Sequence, residues 1–182
     1  MPKHSDFYHI PTAINQTVAS EIINQMKDEE LQDALLLDGS KDGRVSQLVW
    51  IPTDNWVAGM MAHFINCANT TTFGYDLTNW SDKIQYTVYD GKGSNYFWHI
   101  DNAQSDLNPE WVRKLSISLC LSSKDDYEGG EFQLLLNGQM YSYKMDIGEA
   151  FIFPSDCTHR IRPLKSGKRI SLVGWYGGPP FR

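Results

Sequence analysis

From residue 84 onward the apolar residues of this chain abandon helical spacing for an alternation of two, and they keep it almost to the end. Segments 84–90, 96–101, 114–121, 130–136, 139–144, 149–153, 158–163 and 168–176 each read as a short strand, separated by Gly, Asp, Asn or Lys-Ser-Gly turns. Short strands at such regular spacing point to a sandwich or barrel. Upstream, residues 17–37 place Val18, Ile22 and Met26 at four-residue steps, which predicts a first helix. A second is predicted from a Thr53 or Asp54 cap, with Val57, Met60, Met61, Phe64, Ile65 and Ala68 on one stripe. Between them lie a polar loop, G-S-K-D-G-R-V (39–45), and a strand, Q-L-V-W-I (47–51), ended by Pro52. Helices confined to the N-terminal half can cover one outer face of a β core.

The chain has 182 residues, 41% of them hydrophobic, enough for one well-buried core and short for two. The expected organisation is a single domain over 1–182, with a helical and loop part (1–83) and a β core (84–178). The formal net charge is -6 and no Lys/Arg block is present, which disfavours nucleic acid and anionic membranes as partners. Cys67, Cys120 and Cys157 are odd in number and show no C-x-x-C pairing, against both a disulfide framework and a structural zinc site. The N-terminal M-P-K-H-S-D-F-Y-H offers no apolar stretch of signal-peptide length, and no window approaches the roughly 20 apolar residues of a membrane span. A cytoplasmic location is the expectation.

Within the β region, His99 and Asp101 flank one residue in W-H-I-D, so on a strand both point to the same face and can chelate one ion. Two imidazoles and a carboxylate form the facial triad of non-haem Fe(II) oxygenases, which leaves three coordination positions open. His159, in S-D-C-T-H-R-I, is the natural third ligand. H-x-D alone is a weak signal, because strands often carry it by chance. Arg169 strengthens it. With a Lys165-Ser166-Gly167 turn, Arg169 is expected to return beside His159 on the next strand, sharing one face with Ser171, Val173 and Trp175. An Arg among such neighbours needs an anion, and its planar fork matches a carboxylate. The residue-level reading is a site for a dicarboxylate whose other end chelates the metal, the competing one an Arg paired with an internal Asp or Glu.

At these residues the C-terminal hundred positions resemble the Fe(II)- and 2-oxoglutarate-dependent dioxygenases, and within them the prolyl hydroxylases. The resemblance rests on Q-Y-T-V-Y-D-G-K-G-S-N-Y-F-W-H-I-D-N (85–102), R-K-L-S-I-S-L-C-L-S (113–122), E-G-G-E-F (128–132), G-E-A-F-I-F-P-S-D-C-T-H-R-I (148–161) and R-I-S-L-V-G-W-Y (169–176). A weaker match, S-K-D-G-R-V-S-Q-L-V-W-I (40–51), resembles the loop and strand that close over substrate in oxygen-sensing-type prolyl hydroxylases. The resemblance implies a double-stranded β-helix (jelly-roll or cupin-like) core of eight strands. It implies His99, Asp101 and His159 as iron ligands, Arg169 with Ser171 at the distal 2-oxoglutarate carboxylate, and Tyr89 as a further co-substrate contact. Arg44, Gln85 and Trp175 would then face the substrate, and segment 39–46 would form a flap at the pocket mouth. Fe(II), 2-oxoglutarate and O₂ are the implied cofactors, with ascorbate as reductant, and no side chain beyond the metal centre is catalytic.

The implied reaction is hydroxylation of a substrate C–H with release of succinate and CO₂, the substrate being a prolyl residue in a protein or peptide. One departure stands out: where prolyl hydroxylases commonly carry a Tyr late in the third core strand, this chain has Cys120. Alternatives are a hydroxylase of a free amino acid or other small molecule, a nucleic-acid demethylase, and a noncatalytic β-helix binding module. The demethylases carry a second Arg six residues after the first, where this chain has Trp175, and a noncatalytic module would lack a ligand or the Arg.

Overall fold

A computed structural model of the chain describes residues 7–35, 43–102 and 110–181. In chain order the elements begin with β1 (Tyr8–Ile10), α1 (Gln16–Met26), β2 (Gln32–Asp33), β3 (Arg44–Val45), β4 (Gln47–Ile51) and α2 (Trp56–Ala68). They continue with β5 (Asn79–Trp80), β6 (Ile84–Asp90), β7 (Asn95–His99), β8 (Val112–Cys120) and β9 (Tyr127–Gly129). The last are β10 (Phe132–Leu136), β11 (Gln139–Tyr143), β12 (Ala150–Pro154), β13 (Thr158–Ile161) and β14 (Leu164–Gly178).

Two antiparallel sheets face each other, the architecture of a double-stranded β-helix. The major sheet runs β1-β12-β8-β14-β6-β4-β2 and the minor sheet β11-β10-β13-β7-β3. Strand alternation gives the major sheet two apolar or functional faces. Ile84, Tyr86 and Val88 of β6, Leu115, Ile117 and Leu119 of β8, and Leu172 of β14 join Val57, Met61 and Ile65 of α2 and Ile22 of α1 in the outer core. The intervening residues turn inward, where Phe151 and Phe153 of β12 meet Phe132 and Leu134 of β10 in a second core. The helices thus cover one face of the major sheet, and the minor sheet covers the other.

Both helices are shorter or later than expected. The first ends at Met26, not at residue 37, because the Val18–Ile22–Met26 stripe gives way to the solvated run Lys27-Asp28-Glu29-Glu30. Its N-cap is Asn15, whose side chain accepts from the Val18 N–H. α2 is capped by Asn55 instead of Thr53 or Asp54, with the same type of bond to the Val57 N–H. The flap expected over 39–46 lies partly outside the described residues. Within its described part Arg44–Val45 form edge strand β3, paired with β7 through Arg44↔Tyr96 and Val45↔Asn95.

The expected Lys-Ser-Gly turn is also absent. Residues Leu164 to Gly167 are the first part of β14 and pair with β9 through an irregular register. The chain changes sheets here: β13 pairs with β10 and β7, whereas β14 runs between β6 and β8. Arg169 therefore faces His159 from the opposite sheet and is not its neighbour on an adjacent strand. The E-G-G-E turn makes this crossing possible. Gly129 and Gly130 have φ of 75° and 64°, and a Cβ on Gly129 would sit 2.5 Å from the Pro163 carbonyl oxygen.

Candidate metal centre and co-substrate pocket

Two chain segments, β7 with the residues that directly follow it and β13, deliver His99, Asp101 and His159 to one point between the sheets. β7 and β13 are paired with His99 opposite His159, and a bulge follows, because Tyr96 rather than Phe97 opposes Ile161. The bulge turns Tyr96 under His99, with ring centroids 3.6 Å apart and planes 17° from parallel. Asp101 does not lie on the strand as the alternation argument supposed. β7 ends at His99, and Asp101 is held by its own N–H donating to the Ser155 carbonyl at 2.8 Å. Arg113 Nη1 donates to its carbonyl oxygen at 3.0 Å.

The donor atoms are oriented for a metal. A carbonyl only accepts, so His99 Nδ1–H donates to Phe97 O at 2.7 Å and His159 Nδ1–H to Cys157 O at 3.0 Å. Each bond directs the ring's Nε2 toward Asp101, 3.6 Å from Oδ1 for His99 and 3.4 Å from Oδ2 for His159. All candidate donor atoms lie within 4.8 Å of one another. First-row ions bind N and O donors at about 2.1 Å, which spaces adjacent donors by about 3 Å. The two-imidazole, one-carboxylate set is the one that suits Fe(II) with open positions.

Electrostatics favour the same state. Burial, followed by the neighbouring His159, pulls the His99 pKa down to about 4, so its ring is neutral at pH 7. For Asp101 burial works upward, but His159, His99, the Ser116 hydroxyl and the Trp175 N–H outweigh it and the net direction is down. A neutral imidazole with a free Nε2 beside a carboxylate is what a divalent cation requires. Trp175 Nε1 is buried without a hydrogen bond of ordinary length, yet lies near enough to help hold Asp101 charged.

Across the cavity stands Arg169, fully buried. Nη1 donates to Ser171 Oγ at 3.1 Å, Nη2 reaches Met145 Sδ at 3.5 Å, and Nε has no partner. No carboxylate pairs with it among the described residues, which removes the competing reading of an internal ion pair. A buried guanidinium without a counterion costs several kcal/mol. Tyr89 lies beside it, the guanidinium 5.6 Å from the ring centroid. Tyr89, Ser171, Val173 and Trp175 line the same cavity as the three candidate ligands, as do Arg44 and Gln85. Every site residue expected from the sequence thus lines one cavity, Arg44 reaching it from edge strand β3.

Sequence reasoning missed three neighbours. Ser116 donates to Asp101 Oδ2 at 2.7 Å. Tyr96 stacks on His99. Tyr127, on β9, donates to the Met145 carbonyl and lies against both Arg169 and Cys120. Its phenol adds a polar neighbour to Arg169 on the side where this chain carries Cys120. Burial raises the Cys120 pKa despite the nearby Arg169, so the thiol is protonated packing.

The family profile of the 2OG-Fe(II) oxygenase superfamily matches residues 84–177, from β6 to the end of the sheet. The chain belongs to that superfamily. As a 2OG-Fe(II) oxygenase it is similar to a PKHD-type hydroxylase of Gloeothece citriformis, 36% identical over 83 residues, which are 46% of this chain and 37% of that protein. The chain therefore spans well under half the length of such curated relatives. Among solved structures it is similar to a Trichoplax adhaerens prolyl hydroxylase in complex with a hypoxia inducible factor peptide. The TM-score is 0.77 at 19% identity, over 94% of this chain and 83% of the other. A Pseudomonas putida prolyl-4-hydroxylase gives a TM-score of 0.76 at 18% identity, over 98% and 95%. These two likenesses establish the fold. No helix among the described residues is long and apolar enough to cross a membrane.

Proposed function

We propose that this oxygenase hydroxylates a prolyl residue in a protein or peptide, coupled to conversion of 2-oxoglutarate to succinate and CO₂. In this reading His99, Asp101 and His159 hold Fe(II), and Arg169 with Ser171 anchors the distal carboxylate of 2-oxoglutarate, Tyr89 flanking it. The observation that carries the reading is Arg169: a fully buried cation without a counterion among the described residues, facing two imidazoles and a carboxylate across one cavity. Hydroxylation is supported by the PKHD-type hydroxylase relatives, and the prolyl substrate by the resemblance of the quoted stretches to prolyl hydroxylases.

Bound iron and 2-oxoglutarate supply the oxidising chemistry, and the protein's own work is positional. The Nδ1–H bonds of His99 and His159 fix ring orientation, and Ser116 fixes the carboxylate of Asp101. Phe132, Phe153, Ile161 and Val173 keep the cavity wall apolar and dry. Trp175 and Gln85 border the space left for substrate. Among the described lining residues none is placed to act as a general acid or base, and the chemistry that bound iron would supply needs none.

The test is anaerobic reconstitution with Fe(II), then addition of O₂, 2-oxoglutarate and ascorbate with a panel of prolyl peptides. Succinate and a +16 Da product at proline should rise together. Succinate formation stimulated only by non-prolyl compounds would replace the substrate assignment and leave the oxygenase intact.

A further inference from the structure

A second buried guanidinium in the cavity also has no carboxylate partner among the described residues. Arg44, 7% exposed, donates from Nε to Ser46 Oγ at 3.1 Å and from Nη2 to Gln85 Oε1 at 2.7 Å, and lies 4.5 Å from the Tyr96 ring centroid. Every one of these partners is neutral. Of the five N–H groups a guanidinium carries, the remaining ones have no acceptor among the described residues. Arg44 offers only donors, so the Gln85 atom facing it must be the amide oxygen. That oxygen also accepts from Thr87 Oγ1 at 3.1 Å. The Gln85 –NH₂ is therefore the end left for a ligand, next to the free N–H groups of Arg44.

The charge balance of the cavity sharpens this. Apart from the two imidazoles, the charged residues that line it among the described ones are Arg44, Arg169 and Asp101. Fe(II) and the 2-oxoglutarate dianion cancel each other, leaving the loaded cavity one unit positive. An uncharged substrate would seal Arg44 away from water with no anion, at the penalty attached to a buried unpaired charge. A single carboxylate would satisfy it, in the bidentate geometry a guanidinium favours and with the Gln85 amide as additional donor.

We infer that the substrate of this enzyme carries a carboxylate close to the carbon that is oxidised, and that Arg44 with Gln85 binds it. The inference rests on the reading of His99, Asp101, His159 and Arg169 as the metal and co-substrate site, and it narrows the substrate class. The carboxylate has two possible sources: the main-chain carboxylate of a free or C-terminal amino acid, or an acidic side chain next to the target residue. Either neutralises Arg44, and they are separable by experiment.

The experiment titrates the anaerobic Fe(II)–2-oxoglutarate protein by calorimetry with matched probes. N-acetylproline is compared with N-acetylprolinamide, N-acetylprolyl-aspartate diamide with its asparagine counterpart, and N-acetylglycine with N-acetylglycinamide. In the wild type the charged member of at least one pair should bind about tenfold or more tightly. In Arg44→Gln the preference should fall to within about twofold, and Arg44→Lys should restore part of it, since it keeps the charge without the fork. Preference in the first pair identifies a main-chain carboxylate, and preference in the second an acidic side chain. A preference confined to the glycine pair would retain the Arg44 inference and remove the prolyl substrate. Equal binding within all pairs, or binding of no probe at all, would overturn the inference, as would an unchanged preference in Arg44→Gln. It would equally fail if Arg44→Gln weakened 2-oxoglutarate itself about a hundredfold in the absence of probe, because Arg44 would then serve the co-substrate.

Discussion

Ser116 of β8 donates a 2.7 Å hydrogen bond to Oδ2 of Asp101, which follows β7 on the facing sheet. The hydroxyl proton is committed to the carboxylate, so in the 3.0 Å contact between Ser116 and Ser155 it is Ser155 that donates. Asp101 is thereby fixed by its backbone to Ser155 and by its side chain to Ser116, with no help from strand pairing.

Ser116→Ala should cost roughly 10 to 100-fold in metal affinity, the usual loss when a ligand's orienting partner is removed. Anaerobic Fe(II) or Co(II) titration measures it. Affinity for 2-oxoglutarate in the metal-saturated variant should change little. An unaltered metal affinity would mean that Asp101 is held by its backbone alone.

His159→Ala should abolish Fe(II)-dependent succinate formation while the protein keeps its far-ultraviolet circular dichroism, since the ring sits in the cavity lining and the β13 pairing is made by backbone groups. His63→Ala, exposed on α2, should leave metal binding unchanged. Wild-type iron affinity in the His159 variant would remove it from the ligand set.

Arg169→Ala should weaken 2-oxoglutarate by about 10² to 10³, the range expected when one partner of a buried ion pair is lost, with iron binding nearly intact. Arg169→Lys should recover only part of this, because Lys lacks the second parallel N–H donor. Competition calorimetry with 2-oxoglutarate against succinate separates the co-substrate effect from general destabilisation.

The metal-free protein should lose stability as pH falls from about 6.5 toward 4. An unfolded imidazole titrates near about 6.5, whereas folded His99 titrates at about 4. Between these values the unfolded chain holds more protons, so acid favours unfolding. Asp101 acts in the same direction at lower pH: its depressed pKa gives stability that is present above the unfolded carboxylate value and lost as pH falls through the folded one. Urea midpoints at pH 7.5 and 5 should differ less in His99→Asn than in the wild type.

The strands and their inward faces were legible because one face of β6 and β14 packs on an aliphatic core while the other lines a polar cavity, so alternate side chains differ in chemistry although both are buried. Arg169, Ser171 and Trp175 were placed on one face by counting in twos, Gln85 and Tyr89 came with the family resemblance, and all five line the cavity. Counting says which face a residue takes but not which sheet its strand joins, so Arg169 was expected beside His159 instead of opposite. Asp101 reached the site for a reason alternation does not contain, the capture of its N–H by Ser155. β3 comprises only Arg44 and Val45, too short for any periodic signal, and its pairing to β7 is what carries Arg44 inside. Tyr96 owes its place under His99 to a bulge, which leaves no mark in an otherwise ordinary strand.

The two-sided character of the major sheet has a consequence for which mutations this protein can survive. In β6, β8 and β14 one set of alternate residues meets the helices while the other builds the cavity, so deleting a single residue of β14 ahead of Arg169 would carry Ile170 into the position of Arg169 and move the guanidinium out to the exposed place of Lys168. The chemistry and the outer core would fail in one step. Length variation during the protein's history is therefore expected in the connections between strands and not within them, a constraint on insertions and deletions that no single side-chain substitution would reveal.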